Sequence, residues 1–145
     1  MAHIRRQVRD AVAARLSAQG LTVHTSRVWP LERAQLPVVL VYVSDEELES
    51  MAAGGATRGL QRRMTVRIEA VAHASRTVDD DLDALGVKIE LALATDRTLG
   101  GTTCDLYPMS SRLSAEEQGE RTFGVLTMEY RALTATNMND PENRR

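Results

Sequence analysis

Leu60-Gln61-Arg62-Arg63-Met64-Thr65-Val66-Arg67-Ile68-Glu69-Ala70-Val71-Ala72-His73 is the stretch on which the fold is decided. Side chains in a strand point alternately to opposite faces, so Met64, Val66, Ile68 and Ala70 share one face. Arg63, Thr65, Arg67 and Glu69 share the other. The alternation predicts a long strand with an apolar core face and a second face turned to solvent or to a partner.

Upstream, Leu36-Pro37-Val38-Val39-Leu40-Val41-Tyr42-Val43 is apolar without a break, the pattern of a central strand buried on both faces. Pro37 belongs at its start, where a missing donor is tolerated. Residues 21–29 are short and β-branched, which suits an edge strand, and the segment from Trp29-Pro30 to residue 35 reads as an irregular connection. Residues 44–59 hold Asp45-Glu46-Glu47, Glu49 and Ala52-Ala53-Gly54-Gly55 with no sustained period, and they predict a long mobile loop.

Two helices frame these strands. Ile4, Val8, Ala11, Val12 and Leu16 recur at helical spacing before Gly20, predicting a helix over 2–19. Thr77-Val78-Asp79-Asp80 has the spacing of a capping box, and Leu82, Leu85, Ile89 and Leu93 carry a second helix over 78–95, ended by Gly100-Gly101. Beyond it, residues 102–110 predict a strand, 112–120 a polar turn, and 121–133 a last strand with Leu126, Met128 and Tyr130 on its core face. Residues 134–145 lack an apolar pattern and are expected to fray as a flexible tail behind one domain over 1–133. The expected fold class is α+β: a two-layer sandwich with a mixed or antiparallel sheet of about five strands and two main helices on one face.

A chain of 145 residues that is 43% hydrophobic and 26% charged can bury a core without metal or disulfides. Aromatic residues make up only 3%, so aliphatic side chains and methionine must fill that core, and base stacking has little to work with. A formal charge of -2 and an isoelectric point near 5.9 exclude a generic polyanion-binding surface. Cys104 stands alone, which fits a reducing compartment such as the cytoplasm, and no apolar run suggests a leader or a membrane contact.

Residues able to do chemistry do not gather into motifs. His3, His24 and His73 fall on three different elements without metal-ligand spacing. Asp79, Asp80, Asp81 and Asp83 suit a helix N-terminus better than a cation site. Cys104, beside Asp105, reads as a buried structural thiol, the serines lack a neighbouring base, and neither glycine pair has phosphate-loop spacing. The expectation is therefore no catalytic, cofactor or metal site, and no enzyme. A small hydrolase or nucleotide-binding enzyme is the disfavoured rival.

The informative charges are Arg58, Arg62, Arg63 and Arg67 against Asp45, Glu46, Glu47 and Glu49. They fit a solvated strand face. They also fit a self-complementary interface in which acids of one subunit meet bases of the next, a heterologous contact that can close a ring.

Four blocks of sequence bear on that choice: His3-Ile4-Arg5-Arg6-Gln7-Val8 with its helix; Arg27-Val28-Trp29-Pro30-Leu31 followed by Leu36-Pro37-Val38-Val39-Leu40-Val41-Tyr42 and its acids; Val66-Arg67-Ile68-Glu69-Ala70-Val71-Ala72 with Asp80-Asp81-Leu82-Asp83-Ala84-Leu85; and Met128-Glu129-Tyr130-Arg131. In order and spacing they resemble the minor tail and tail terminator proteins of long-tailed phages, including lambda-like phages and gene transfer agents. The resemblance implies a hexameric ring that caps the growing tail tube, ends its polymerisation and joins tail to head. It implies as partners other copies of the chain, the tail tube protein and a head-tail connector or stopper, with DNA in the lumen as a passing contact. It also implies a place at the head-proximal end of a virion tail, after a stage in the host cytoplasm. A connector, stopper or other minor tail structural protein is the alternative. The family transfers no functional residues, so the interface candidates come from charge alone: Asp45, Glu46, Glu47, Arg58, Arg62, Arg63 and Arg67.

Overall fold

A computed structural model describes residues 2–25, 27, 36–51, 57–118 and 121–145. The elements run α1 (Ile4–Ser17), β1 (Val23–His24), β2 (Val38–Ser50), β3 (Gly59–His73), α2 (Val78–Ala94), β4 (Asp105–Gln118), β5 (Arg121–Asn137) and β6 (Asp140–Arg144). The sheet order is β1-β2-β3-β5-β4, with β6 beside β5. Among the described residues only the short β1–β2 pair is parallel, so the sheet is mixed and the class is α+β, as the pattern of elements predicts.

β3 lies at the centre because its alternation satisfies two requirements at once. Met64, Val66, Ile68 and Ala70 are fully buried against both helices, while the opposite positions form the other face. α1 contributes Ile4, Val8, Val12 and Leu16 to that core, and α2 contributes Leu82, Ile89 and Leu93. Leu126, Met128 and Tyr130 of β5 join them on the predicted face. The start of β2 is buried on both sides: Val39 and Val41 face the helices, whereas Val38 and Leu40 join Val71, Phe123 and Val125 in a second cluster behind the sheet. Pro37 stands just before β2, after a cis Leu36–Pro37 bond.

α2 can dock only because glycine leaves room beneath it. A Cβ on Gly124 would lie 2.3 Å from Val78 Cγ2 and 3.2 Å from Leu82 Cδ1, and one on Gly86 would lie 3.2 Å from Leu126 Cδ2. Gly124→Ala should cost about 1–3 kcal/mol, the usual penalty for overpacking, and Val78→Ala in the same chain should recover part of it. Chemical denaturation of the three variants checks this, and an undiminished midpoint for Gly124→Ala would contradict the docking.

The connection from α2 to β4 turns through Leu99, Gly100 and Gly101, all with positive φ. Asp96 organises it, accepting from the Thr98 hydroxyl at 2.6 Å, the Gly100 N–H at 2.8 Å, the Thr98 N–H at 2.9 Å and Arg15 at 2.9 Å. These donors, the Thr98 hydroxyl foremost, hold its carboxyl far below the usual carboxylate range. A carboxylate depressed by folding stabilises fully above its unfolded value of about 4 and loses that contribution as pH falls below it. The melting-temperature advantage of the native chain over Asp96→Asn should therefore be constant near neutrality and shrink below about pH 4.

Several expectations need correction. Residues 44–50 are strand rather than loop: β2 continues past a bulge between Val43 and Asp45, with Glu47 opposite Arg63 and Glu49 opposite Gln61. Cross-strand charge pairing holds this segment where no apolar pattern announces it. Residues 52–56 lie outside the described set, as do 28–35 of the expected connection. Residues 112–118, read as a turn, belong to β4. Residues 119 and 120 of that expected turn lie outside the described set, and 112–117 sit at the sheet edge, exposed on both faces, so hydrophobic alternation is not required of them. Residues 102–104, expected in that strand, precede it. The segment 134–145 does not fray: β5 runs to Asn137 and β6 returns, held by the Arg145 N–H on the Ala135 carbonyl at 2.8 Å and by Gln7 Nε2 on the Glu142 carbonyl at 2.5 Å. Backbone and one helix side chain do this, leaving no hydrophobic signature. At α2, Thr77 is the N-cap residue, but its hydroxyl meets the Asp81 carboxylate at 3.4 Å rather than a backbone N–H, so the capping box is not formed.

Candidate assembly surface

The acids of β2 and the bases of β3 are neighbours in one chain. Their strands pair antiparallel, so the segment from Asp45 to Glu49 lies alongside Gln61 to Thr65. Alternation then divides the charges between the two faces of the sheet.

Glu46 and Arg62 fall on the helix side. Arg62 is 4% exposed. Its Nη1 meets Glu46 Oε1 at 3.0 Å and its Nε donates to Thr136 Oγ1 at 2.9 Å, while Arg5 of α1 reaches the same Glu46 oxygen at 3.2 Å. Glu46 Oε2 is buried with no hydrogen bond among the described residues. The node ties β2, β3, β5 and α1 together, and it spends both candidate charges inside the chain. His3, the N-cap of α1, accepts from the Arg5 N–H at 3.1 Å; burial first, then Arg5 and Arg62, lower its pKa.

The remaining candidates are outward. Asp45 and Glu47 are exposed on β2, Arg63 pairs with Glu49 at 3.1 Å at the surface, and Arg58 donates to Ser50 Oγ at 2.9 Å. Arg67 sits mid-sheet on the face away from the helices and binds Glu129 of β5 at 2.9 Å. Beside it the Tyr42 hydroxyl donates to Glu69 Oε1 at 2.5 Å. Burial and that bond raise the Tyr42 pKa, and hydrogen bonding to Tyr42 and Glu129 raises that of Arg67. Sequence reading missed Tyr42, Glu129 and Arg131 as members of this face. The alternation of 60–73 marked Glu69, but nothing local tells which strand lies beside β3.

This face carries a cleft of about 340 Å³ lined by Arg67, Glu69, Arg112, Glu116 and Glu129 with Ser110 and Ser114. Opposed charges spread over flat strands suit docking against a complementary surface. Elsewhere, His24 is on β1 and His73 at the end of β3, and among the described residues no group of three or more His, Cys, Asp or Glu is placed to hold a metal. Cys104 corrects an expectation: it is exposed, with Arg144 Nη2 at 3.3 Å from its sulfur, because it precedes β4 instead of lying within it. No helix among the described residues is long and apolar enough to cross a membrane.

No family model matches the chain, and neither does any curated protein. Among solved structures, it is similar to a chain from the virion of a native gene transfer agent particle, at 13% identity and a TM-score of 0.35 over 92% of each chain.

Proposed function

We propose that this chain is a non-enzymatic structural protein of a phage-like virion that closes as a hexameric ring on the end of the tail tube. There it stops polymerisation and presents the surface that joins tail to head. The observation that carries the reading is the sheet face opposite the helices, which is dressed with ordered charge pairs, Arg63–Glu49 and Arg67–Glu129, from three long strands. The order of sequence blocks from His3 to Arg131 supports the same role. Its partners are other copies of itself, the tube protein and a connector or stopper, with DNA passing through the lumen.

In this reading Asp45, Glu47, Arg58 and Arg63 meet neighbouring subunits or the tube, and Arg67 holds the charged face in register. Glu46 and Arg62 act from beneath, by keeping β2 and β3 aligned. Electron microscopy of particles assembled without the protein tests the role. Overlong tails support a terminator. Tails of normal length that fail to join heads would assign the chain to a connector instead and overturn the reading.

A further inference from the structure

His3 supplies three acceptors to the first turn of α1. Its carbonyl accepts from the Arg6 N–H at 2.9 Å and the Gln7 N–H at 3.2 Å, and its ring Nδ1 accepts from the Arg5 N–H at 3.1 Å. Helices are usually capped by Asn, Asp, Ser or Thr, whose oxygens accept throughout the neutral range. An imidazole accepts only while it is neutral, because both ring nitrogens of the cation are donors. Protonation would therefore leave the Arg5 N–H facing a second donor.

The charges that face the ring come from four elements: Arg5 on α1, Arg62 on β3, Glu46 on β2 and Glu142 on β6. β5 adds the neutral Thr136 hydroxyl, which accepts from Arg62 Nε. Burial first, then the Arg5 and Arg62 guanidinium groups, outweigh the two carboxylates and hold the ring below the ordinary histidine value. Two margins of the sheet are fastened at the same turn. Arg5 reaches Glu46 Oε1 of β2 at 3.2 Å, and Gln7 Nε2 donates to the Ala2 carbonyl at 2.6 Å and to the Glu142 carbonyl of β6 at 2.5 Å. Both side chains leave the helix within the turn that His3 caps.

We propose that His3 is a pH-operated latch. Neutral, it caps α1 and holds Arg5 and Gln7 against β2 and β6; protonated, it frees the first turn and loosens β6 with it. The latch belongs to the single chain, whether or not that chain assembles. Its sign follows from the depressed ring: the contribution of the cap is fully present above the unfolded histidine value of about 6.5 and is lost as pH falls through the lower folded value.

NMR exchange of two amides in the full chain reads both ends of the latch. The Arg5 N–H reports the cap, and the Arg145 N–H, bonded to the Ala135 carbonyl at 2.8 Å, reports β6. Relative to an unstructured chain at the same pH, Arg5 should be about tenfold less protected at about pH 5 than at about pH 7.5, and Arg145 should lose protection over the same interval. His3→Asn, a cap that does not titrate in this range, should keep its protection at both pH values, whereas His3→Ala should lack it at both.

The native chain should thus behave like His3→Asn near neutrality and like His3→Ala in mild acid. Native protection unchanged between the two pH values would overturn the latch. So would a His3 ring that titrates at or above about 6.5, or an equal acid loss in His3→Asn, which would trace the effect to other groups. Loss at Arg5 with Arg145 unmoved would contradict the coupling to β6.

Discussion

Arg62→Met should cost about 3–5 kcal/mol of folding stability, because it strips the cation from a buried carboxylate. Glu46 has a side chain 7% exposed, and one of its oxygens already lacks a partner among the described residues. Arg5 remains at 3.2 Å, but its side chain is half exposed and solvent-screened, so it cannot replace the buried guanidinium. Removing Glu46 as well, in Arg62→Met with Glu46→Leu, should return most of the loss, since a buried pair replaced by apolar groups of similar size is often neutral. Urea denaturation of the single and double variants measures the coupling. Equal stability of Arg62→Met and the native chain would show that the node carries no energy. The same variants separate two roles for this arginine: a residue that binds a neighbouring subunit would lower assembly without lowering the denaturation midpoint.

Ile68→Ala should be the other severe change, at about 2–5 kcal/mol. Ile68 is fully buried at the middle of β3, flanked across the ladders by Val41 of β2 and Met128 of β5. The space it fills lies between sheet and helices, where neither layer can collapse without disturbing the other, so the cavity term adds to the lost transfer energy. Ile68→Val should cost about 0.5–1.5 kcal/mol, and thermal or chemical unfolding of the pair checks the gradation. A loss under about 1 kcal/mol for the alanine variant would place Ile68 outside the core.

Sequence reading served best where burial was one-sided or complete. The alternation of Met64, Val66, Ile68 and Ala70 located the central strand, and the unbroken apolar run from Leu36 located the doubly buried start of β2. Helical spacing placed α1 and α2 to within two residues at each end. It failed at the sheet margins. The acidic end of β2, the edge strand β4 and the closing β6 are held by backbone pairing, cross-strand charge and a single glutamine, none of which imposes a hydrophobic period.

The candidate surface was legible to the same extent. Charge alone picked out the acids of 45–49, read as a loop, and the bases of 58–67, but it could not show that a bulge after Val43 shifts the register or that Glu46 and Arg62 therefore point inward. A one-residue slip moves every side chain to the opposite face, which is why seven candidate charges divide into an inner node and an outer surface.

The central claim is that this chain assembles with its own copies at the end of a tail tube. Multi-angle light scattering of the full chain, alone and with purified tubes or tube protein, tests it most directly. A hexameric mass, in solution or on the tube end, is the result expected. A chain that stays strictly monomeric with tubes present contradicts the claim.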